Sequence, residues 1–101
     1  MKVEIINDNP VRVKLQGRLD TTAAIEVAPD FQNLGTYASG HMVIDCSELE
    51  YISSSGLRLL LALRKEAAAK GSKLQIRNMS DDIQHIFKIT GFTSLFEILP
   101  E

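Results

Sequence analysis

The chain has 101 residues, a net charge of −2 at pH 7 and 45% hydrophobic residues, which fits one globular domain over residues 1–101. Its 11 basic residues are scattered, which excludes the basic patch of nucleic-acid-binding proteins. The purest apolar run, Leu59–Leu63, is far shorter than the roughly 20 residues of a transmembrane helix, and no apolar signal segment opens the sequence. We therefore expect a cytoplasmic protein with no membrane span and no nucleic-acid partner.

The first forty residues predict a β-hairpin followed by a helix. After turn-forming residues at 7–10, apolar side chains alternate with polar ones over residues 11–16, as in a strand that buries one face. Asp20 then predicts a helix N-cap, because its carboxylate can accept the free amides of a first helical turn. Pro29 has no amide hydrogen, so we expect a kink or a restart within this helix.

The remaining residues alternate short strands with helices. Strands are predicted at 42–45, 73–77 and 95–99, and a helix capped by Ser80 precedes the last one. Alternating strands and helices imply right-handed crossovers between parallel strands. The predicted fold class is α/β: a mixed sheet of four to five strands, with an N-terminal antiparallel hairpin and helices packed mainly on one face.

The strongest predicted helix covers residues 55–70. Its leucines repeat at helical spacing, so we expect Leu57, Leu60 and Leu61 to be buried. Arg58 and Lys65 are seven residues apart and should share one exposed side, since seven residues return to nearly the same face.

Signatures of catalysis and metal binding are missing from the sequence. There is no glycine-rich phosphate loop, no dinucleotide fingerprint, no HExxH and no paired CxxC, and Ile52 stands where the hydrolase elbow around Ser54 needs a glycine. Cys46 follows an apolar run and is expected to be buried and unreactive. We therefore expect no enzymatic activity, no cofactor and no metal site.

Three consecutive hydroxyl side chains, Ser53-Ser54-Ser55, precede the strongest helix. One serine suffices as an N-cap, which contributes about 1 kcal/mol. A phosphate in the same place would meet unpaired amides and the positive end of the helix dipole. The segment therefore indicates either simple capping or a phosphorylation site.

Four segments, in this order and spacing, resemble the STAS domains, specifically the bacterial anti-sigma-factor antagonists. The resemblance implies that Ser54 is phosphorylated by a serine kinase that is itself the anti-sigma factor, and that a metal-dependent serine phosphatase reverses the reaction. It also implies that the unphosphorylated form binds the anti-sigma factor and frees a sigma factor. The segments are Gly17-Arg18-Leu19-Asp20, Val43-Ile44-Asp45, the run from Tyr51 to Arg58, and Phe87-Lys88-Ile89-Thr90-Gly91-Phe92.

The resemblance further implies which residues surround the phosphoacceptor. Ser53 stands in place of the acidic residue that opens the family motif, which removes a charge beside Ser54. The residues expected near the acceptor are Asp20, Asp45, Ser53, Ser55 and Gly56. Those expected to bind the partner are Ser53, Ser54, Ser55, Gly56, Leu57, Arg58 and Lys65.

A second interpretation remains open. The chain is then a non-catalytic STAS subunit of a larger assembly, such as a lipid-transport ATPase complex. The same helix would be a constant docking face, and Ser54 would be only a cap.

Overall fold

One mixed sheet is formed by strands that lie side by side in chain order. The computed structural model describes residues 1–8, 11–37 and 41–99. Within them the strands are β1 (Lys2–Asp8), β2 (Val11–Leu19), β3 (Met42–Ile52), β4 (Leu74–Arg77) and β5 (Glu97–Ile98), and the helices are α1 (Thr21–Leu34), α2 (Ser54–Ala69) and α3 (Asp81–Ile89). Strands β1 and β2 form an antiparallel hairpin, and β2 to β5 run parallel. The predicted fold class is thereby confirmed.

The helices α1, α2 and α3 belong to one face of the sheet. Each crossover moves one strand further in the same direction, and right-handed crossovers of this kind place every helix on the same side. Along β2 the buried residues are Val11, Val13 and Leu15, whereas Arg12 and Lys14 are half-exposed. The core therefore lies between the sheet and the helices. The other side, here called the open face, carries Lys2, Glu4, Arg12, Lys14, Gln16, Val43, Asp45, Glu48, Gln75, Arg77 and Glu97.

Strand β3 is longer than the sequence indicated, because it continues beyond residue 45 to Ile52. It remains paired with β2 across two register shifts, one between Lys14 and Gln16 and one between Gly17 and Arg18. Gly17 has φ +97°, a conformation that glycine adopts without strain. These irregularities interrupt the two-residue alternation, so the second half of β3 has no strand pattern in the sequence.

Helix α1 runs unbroken through Pro29, contrary to the kink or restart expected there. The amide that proline lacks would have bonded to the carbonyl of Ile25, and both residues lie on the exposed side of the helix. The missing hydrogen bond therefore faces solvent instead of the core. Phe31 and Leu34, which follow Pro29 in the helix, are buried.

The ends of the remaining elements differ only locally from the predictions. Helix α2 begins at Ser54, one residue earlier than predicted. The last strand is reduced to Glu97–Ile98, since residues 93–95 form a single 3₁₀ turn. The predicted cap of α3 is confirmed, because the amide of Ile83 donates to Oγ of Ser80 at 3.2 Å. Of the turn predicted at 7–10, residues 9 and 10 lie outside the described ranges.

Candidate functional site

The three serines between β3 and α2 have three different environments. Ser53 is 9% exposed and caps α2, because its Oγ accepts the amide hydrogen of Gly56 at 3.2 Å. Ser54 is the first residue of the helix and is exposed, whereas Ser55 is half-buried. The hydroxyl with free access to another protein is therefore that of Ser54.

The N-cap of α1 lies beside the N-cap of α2. Leu19 ends β2 and pairs with Ile52 at the end of β3, and its carbonyl accepts the amide hydrogen of Ser53 at 2.8 Å. Asp20 follows directly, and its Oδ1 accepts the amide hydrogen of Ala23 at 2.8 Å. The capping role predicted for Asp20 is confirmed, and a single backbone hydrogen bond joins the two helix starts.

Asp45 lies away from the ends of β2 and β3 where the two helix caps meet, so the expectation that it would be near Ser54 is wrong. It pairs with Lys14, whereas Ile52 pairs with Leu19, five residues further along β2. At ~3.3 Å per residue this separation is about 16 Å. A strand ending at residue 45 would bring Asp45 next to the following helix, but the continuation of β3 moves it down the open face.

The carboxylate of Asp45 is held by polar contacts of its own. Its Oδ1 accepts hydrogen bonds from the amide of Ser47 at 2.9 Å and from Nδ2 of Asn78 at 3.2 Å. Burial by itself raises the pKa of Asp45, but these hydrogen bonds and the ammonium group of Lys14 outweigh it, so the pKa lies below its ordinary value. Asp45 is therefore a charged part of the open face.

Gly56 allows α2 to approach the strands closely. A Cβ atom at this position would lie 2.6 Å from Cγ of Leu19 and 2.9 Å from Cγ1 of Ile52. Both side chains are fully buried and have little room to move away. Gly56 therefore sets how deeply the start of α2 sits on the sheet, and so how Ser54 is presented.

The residues predicted to bind a partner divide into an exposed set and a buried set. Ser54, Arg58 and Lys65 are exposed and lie on one side of α2, here called the α2 stripe. Leu57 is fully buried beneath them, as is Leu60. Leu61, also predicted to be buried, is only half-buried, because it lies at the border between the core and the stripe.

Two features near the start of α2 were not predicted from the sequence. The guanidinium carbon of Arg18 lies 4.7 Å from the ring centroid of Tyr51, a cation–π contact between the ends of β2 and β3. Ile25 in α1 is 74% exposed. Its exposure could have been predicted, since it falls outside the buried pattern formed by Ala24, Val27, Phe31 and Leu34.

The predicted burial of Cys46 is confirmed. The residue is fully buried, and the pKa of its thiol is raised to about 12. Burial is the main cause of this shift, and the nearby charge of Asp45 adds to it. No group of three or more histidine, cysteine or acidic residues in the ranges 1–8, 11–37 and 41–99 could hold a metal ion. No helix in those ranges has both the length and the apolar character required to span a membrane.

Comparison with known proteins identifies the family. Residues 4–100 match the family model described as "Mlab, STAS domain". A protein of Bordetella bronchiseptica, provisionally named anti-sigma factor antagonist BtrV, is 27% identical over 84 residues, which is 83% of this chain and 72% of BtrV. The anti-sigma-B factor antagonist of Bacillus subtilis is 24% identical over 92 residues, covering 91% and 84% of the two chains.

Solved structures show the same fold. The anti-sigma factor antagonist SpoIIAA in its unphosphorylated form is similar over 99% of this chain and 87% of its own, with a TM-score of 0.69 at 18% identity. Phosphorylated Bacillus SpoIIAA covers 99% and 91%, with a TM-score of 0.67 at 20% identity. Because the family model spans nearly the whole sequence and the fold agrees, this chain belongs to the STAS domain family.

Proposed function

We propose that this chain is an anti-sigma-factor antagonist, a cytoplasmic protein-binding switch with no catalytic activity of its own. Its form with unphosphorylated Ser54 binds an anti-sigma factor that is also a serine kinase, and thereby releases a sigma factor. A serine phosphatase restores this form after phosphorylation. The observation that carries the proposal is that Ser54 presents an exposed hydroxyl at the start of α2, on the same stripe as Arg58 and Lys65. The names of the relatives support it.

The environments of the neighbouring serines support Ser54 as the acceptor. The Oγ of Ser53 is buried and accepts the Gly56 amide, so a kinase could reach it only after the cap had opened. Ser55 is half-buried. Ser53 replaces the acidic residue of the family motif, yet it performs the capping that a carboxylate would perform there. The kinase for this chain therefore recognises a site without that leading charge.

Electrostatics explain how phosphorylation would end binding. A phosphate adds a charge of about −1.5 to −2 at pH 7. In the free domain the amides and dipole of α2 offset part of its cost, although Asp20 at the neighbouring cap is a like charge. In the complex, the phosphate would enter an interface fitted to a neutral hydroxyl and lose its water. Binding should weaken tenfold for each ~1.4 kcal/mol of this cost, while the fold persists.

The test compares three variants with the unchanged protein. Purified protein is incubated with ATP and a lysate of its source cells, and the phosphorylated residue is mapped by mass spectrometry. We expect one phosphate, on Ser54. Ser54→Ala should stay folded, resist phosphorylation and constitutively bind the kinase captured from the lysate. Ser54→Asp should stay folded and bind that kinase poorly. Ser55→Ala is the matched control and should behave as the unchanged protein. A phosphate on Ser53 or Ser55, or equal affinities for the two Ser54 variants, would contradict the proposal.

A second candidate function is a constant, non-catalytic subunit of a larger assembly, such as a lipid-transport ATPase complex. The observation that favours it is the description of the matching family model, which names Mlab and no anti-sigma factor. In this case Ser54→Ala and Ser54→Asp would bind the assembly alike, and no phosphate would be found on the protein.

A further inference from the structure

The open face of the sheet carries a second candidate binding site, well separated from the α2 stripe. Most of its charged groups have a partner in a salt bridge or in a hydrogen bond with a side-chain amide. The acidic groups that have such partners are Glu4, bonded to Lys2 at 3.1 Å, Glu48, bonded to Lys14 at 3.4 Å, Glu97, bonded to Gln75 at 3.0 Å, and Asp45, bonded to Asn78 at 3.2 Å.

Arg12 and Arg77 are the exception on this face. Their Nε atoms are buried and have no hydrogen-bond acceptor among residues 1–8, 11–37 and 41–99, and neither arginine takes part in the salt bridges of those ranges. Arg77 pairs in register with Asp45, but the ammonium group that lowers the pKa of Asp45 belongs to Lys14. A buried donor without an acceptor costs free energy. Guanidinium groups form their strongest hydrogen bonds with oxyanions such as carboxylates and phosphates.

The strand register sets the distance between the two arginines. Arg12 lies opposite Val43 and Arg77 lies opposite Asp45, so they are two strands apart and offset by two residues. With strands ~4.8 Å apart and a rise of ~3.3 Å per residue, their Cα atoms are about 12 Å apart. Val43 lies between them and is only 7% exposed, although it points away from the helices. Long side chains on the neighbouring strands must therefore cover it, as the stems of arginines commonly do.

We propose that Arg12 and Arg77 form a binding site for the carboxylates of an acidic protein segment that lies across the open face. Charge complementarity supports this occupant, because the acidic groups of the face are already paired and the two groups without partners are both cations. In an extended segment the side chains of residues i and i+4 point to the same side and lie about 13 Å apart, which matches the separation of the two arginines. The site is independent of the proposed switch, since α2 lies on the other side of the sheet.

The test uses an acetylated and amidated pentaglutamate peptide as the probe, at constant ionic strength. The ¹⁵N–¹H signals of the two arginine Nε groups are followed by NMR and assigned with Arg12→Lys and Arg77→Lys. We expect both signals to shift with one common midpoint. Each lysine variant keeps the charge but loses the guanidinium fork, so it should bind the peptide roughly tenfold more weakly. Arg64→Lys, on α2, is the matched control and should bind as the unchanged protein does.

Three results would overturn the proposal. The first is that sodium chloride shifts the two signals as far as the peptide does. The second is that Arg12→Lys and Arg77→Lys bind the peptide with unchanged affinity while their amide spectra show an intact fold. The third is that inorganic phosphate binds and the peptide does not, which would assign the site to phosphate instead of acidic protein segments. A loss of phosphorylation at Ser54 would leave all of these outcomes unaffected.

Discussion

Replacing Gly56 with alanine tests whether close packing at this position fixes the start of α2. Helix propensity alone predicts that the substitution stabilises the protein by about 1 kcal/mol, since Gly56 is in a helix. The structure predicts the opposite, because the new methyl group would lie within 3 Å of two fully buried side chains, those of Leu19 and Ile52. Overpacking of this kind costs about 1–3 kcal/mol. With contacts this short we take the upper end, which leaves a net loss of about 2 kcal/mol.

The measurement is unfolding of Gly56→Ala and of the unchanged protein by urea and by heat, both followed by circular dichroism. For a domain of this size, a loss of about 2 kcal/mol lowers the melting temperature by about 10 °C. Ala62→Gly, at an exposed position of the same helix, calibrates propensity alone and should cost about 1 kcal/mol. If Gly56→Ala is as stable as the unchanged protein or more stable, α2 does not depend on this contact with β2 and β3.

Three further substitutions test the surroundings of the site. Ser53→Ala removes the cap of α2 and leaves the Gly56 amide without its acceptor, so the free energy of unfolding should fall by about 1–2 kcal/mol in the same urea assay. An unchanged value would show that the cap is dispensable. Ile25 is 74% exposed on α1, whose N-cap lies beside that of α2, so the proposed interface would cover it; Ile25→Glu should therefore weaken binding of the anti-sigma factor, measured by calorimetry, roughly tenfold. Ile89→Glu, at a 66% exposed isoleucine of α3, should leave this affinity unchanged. If the two variants weaken binding equally, the interface lies elsewhere. Cys46 has a pKa raised from 9.0 to about 12, so folding favours the protonated thiol. The contribution of Cys46 to the free energy of unfolding is therefore fully present below pH 9. It falls between pH 9 and about 12, by ~1.4 kcal/mol per pH unit. Cys46→Ala should remove this dependence, and a slope that persists in the variant would refute it.

The sequence predicted those elements whose periodicity is regular. The alternation over residues 11–16 and the leucine spacing of α2 each correspond to one buried side, and burial is what these patterns record. The caps Asp20 and Ser80 were also predictable, because each is a short polar side chain immediately before a helical pattern. The serine cluster was recognised as a candidate site by resemblance together with its place before a helix.

Features that depend on strand register could not be read from the sequence. Two bulges in β3 conceal its second half, and Asp45, which the resemblance placed near Ser54, lies about 16 Å from the end of β3 along the sheet. The different exposures of Ser53 and Ser54 follow from which of them caps the helix, and the sequence does not distinguish the two. Arg12 and Arg77 are 65 positions apart in the chain, and only the order β2-β3-β4 brings them onto one face.

The hydrogen bond from Ser53 to the carbonyl of Leu19 ties the start of α2 to the two longest strands of the sheet. In hydrogen exchange, this junction should open only with the global transition, whereas the two-residue strand β5 should exchange through local fluctuations. A kinase acting on Ser54, as proposed, would therefore not meet it as part of a transiently unfolded peptide. Such an enzyme would have to recognise a folded helical turn, and its specificity would depend on the shape of the domain surface more than on the linear order of residues around the serine.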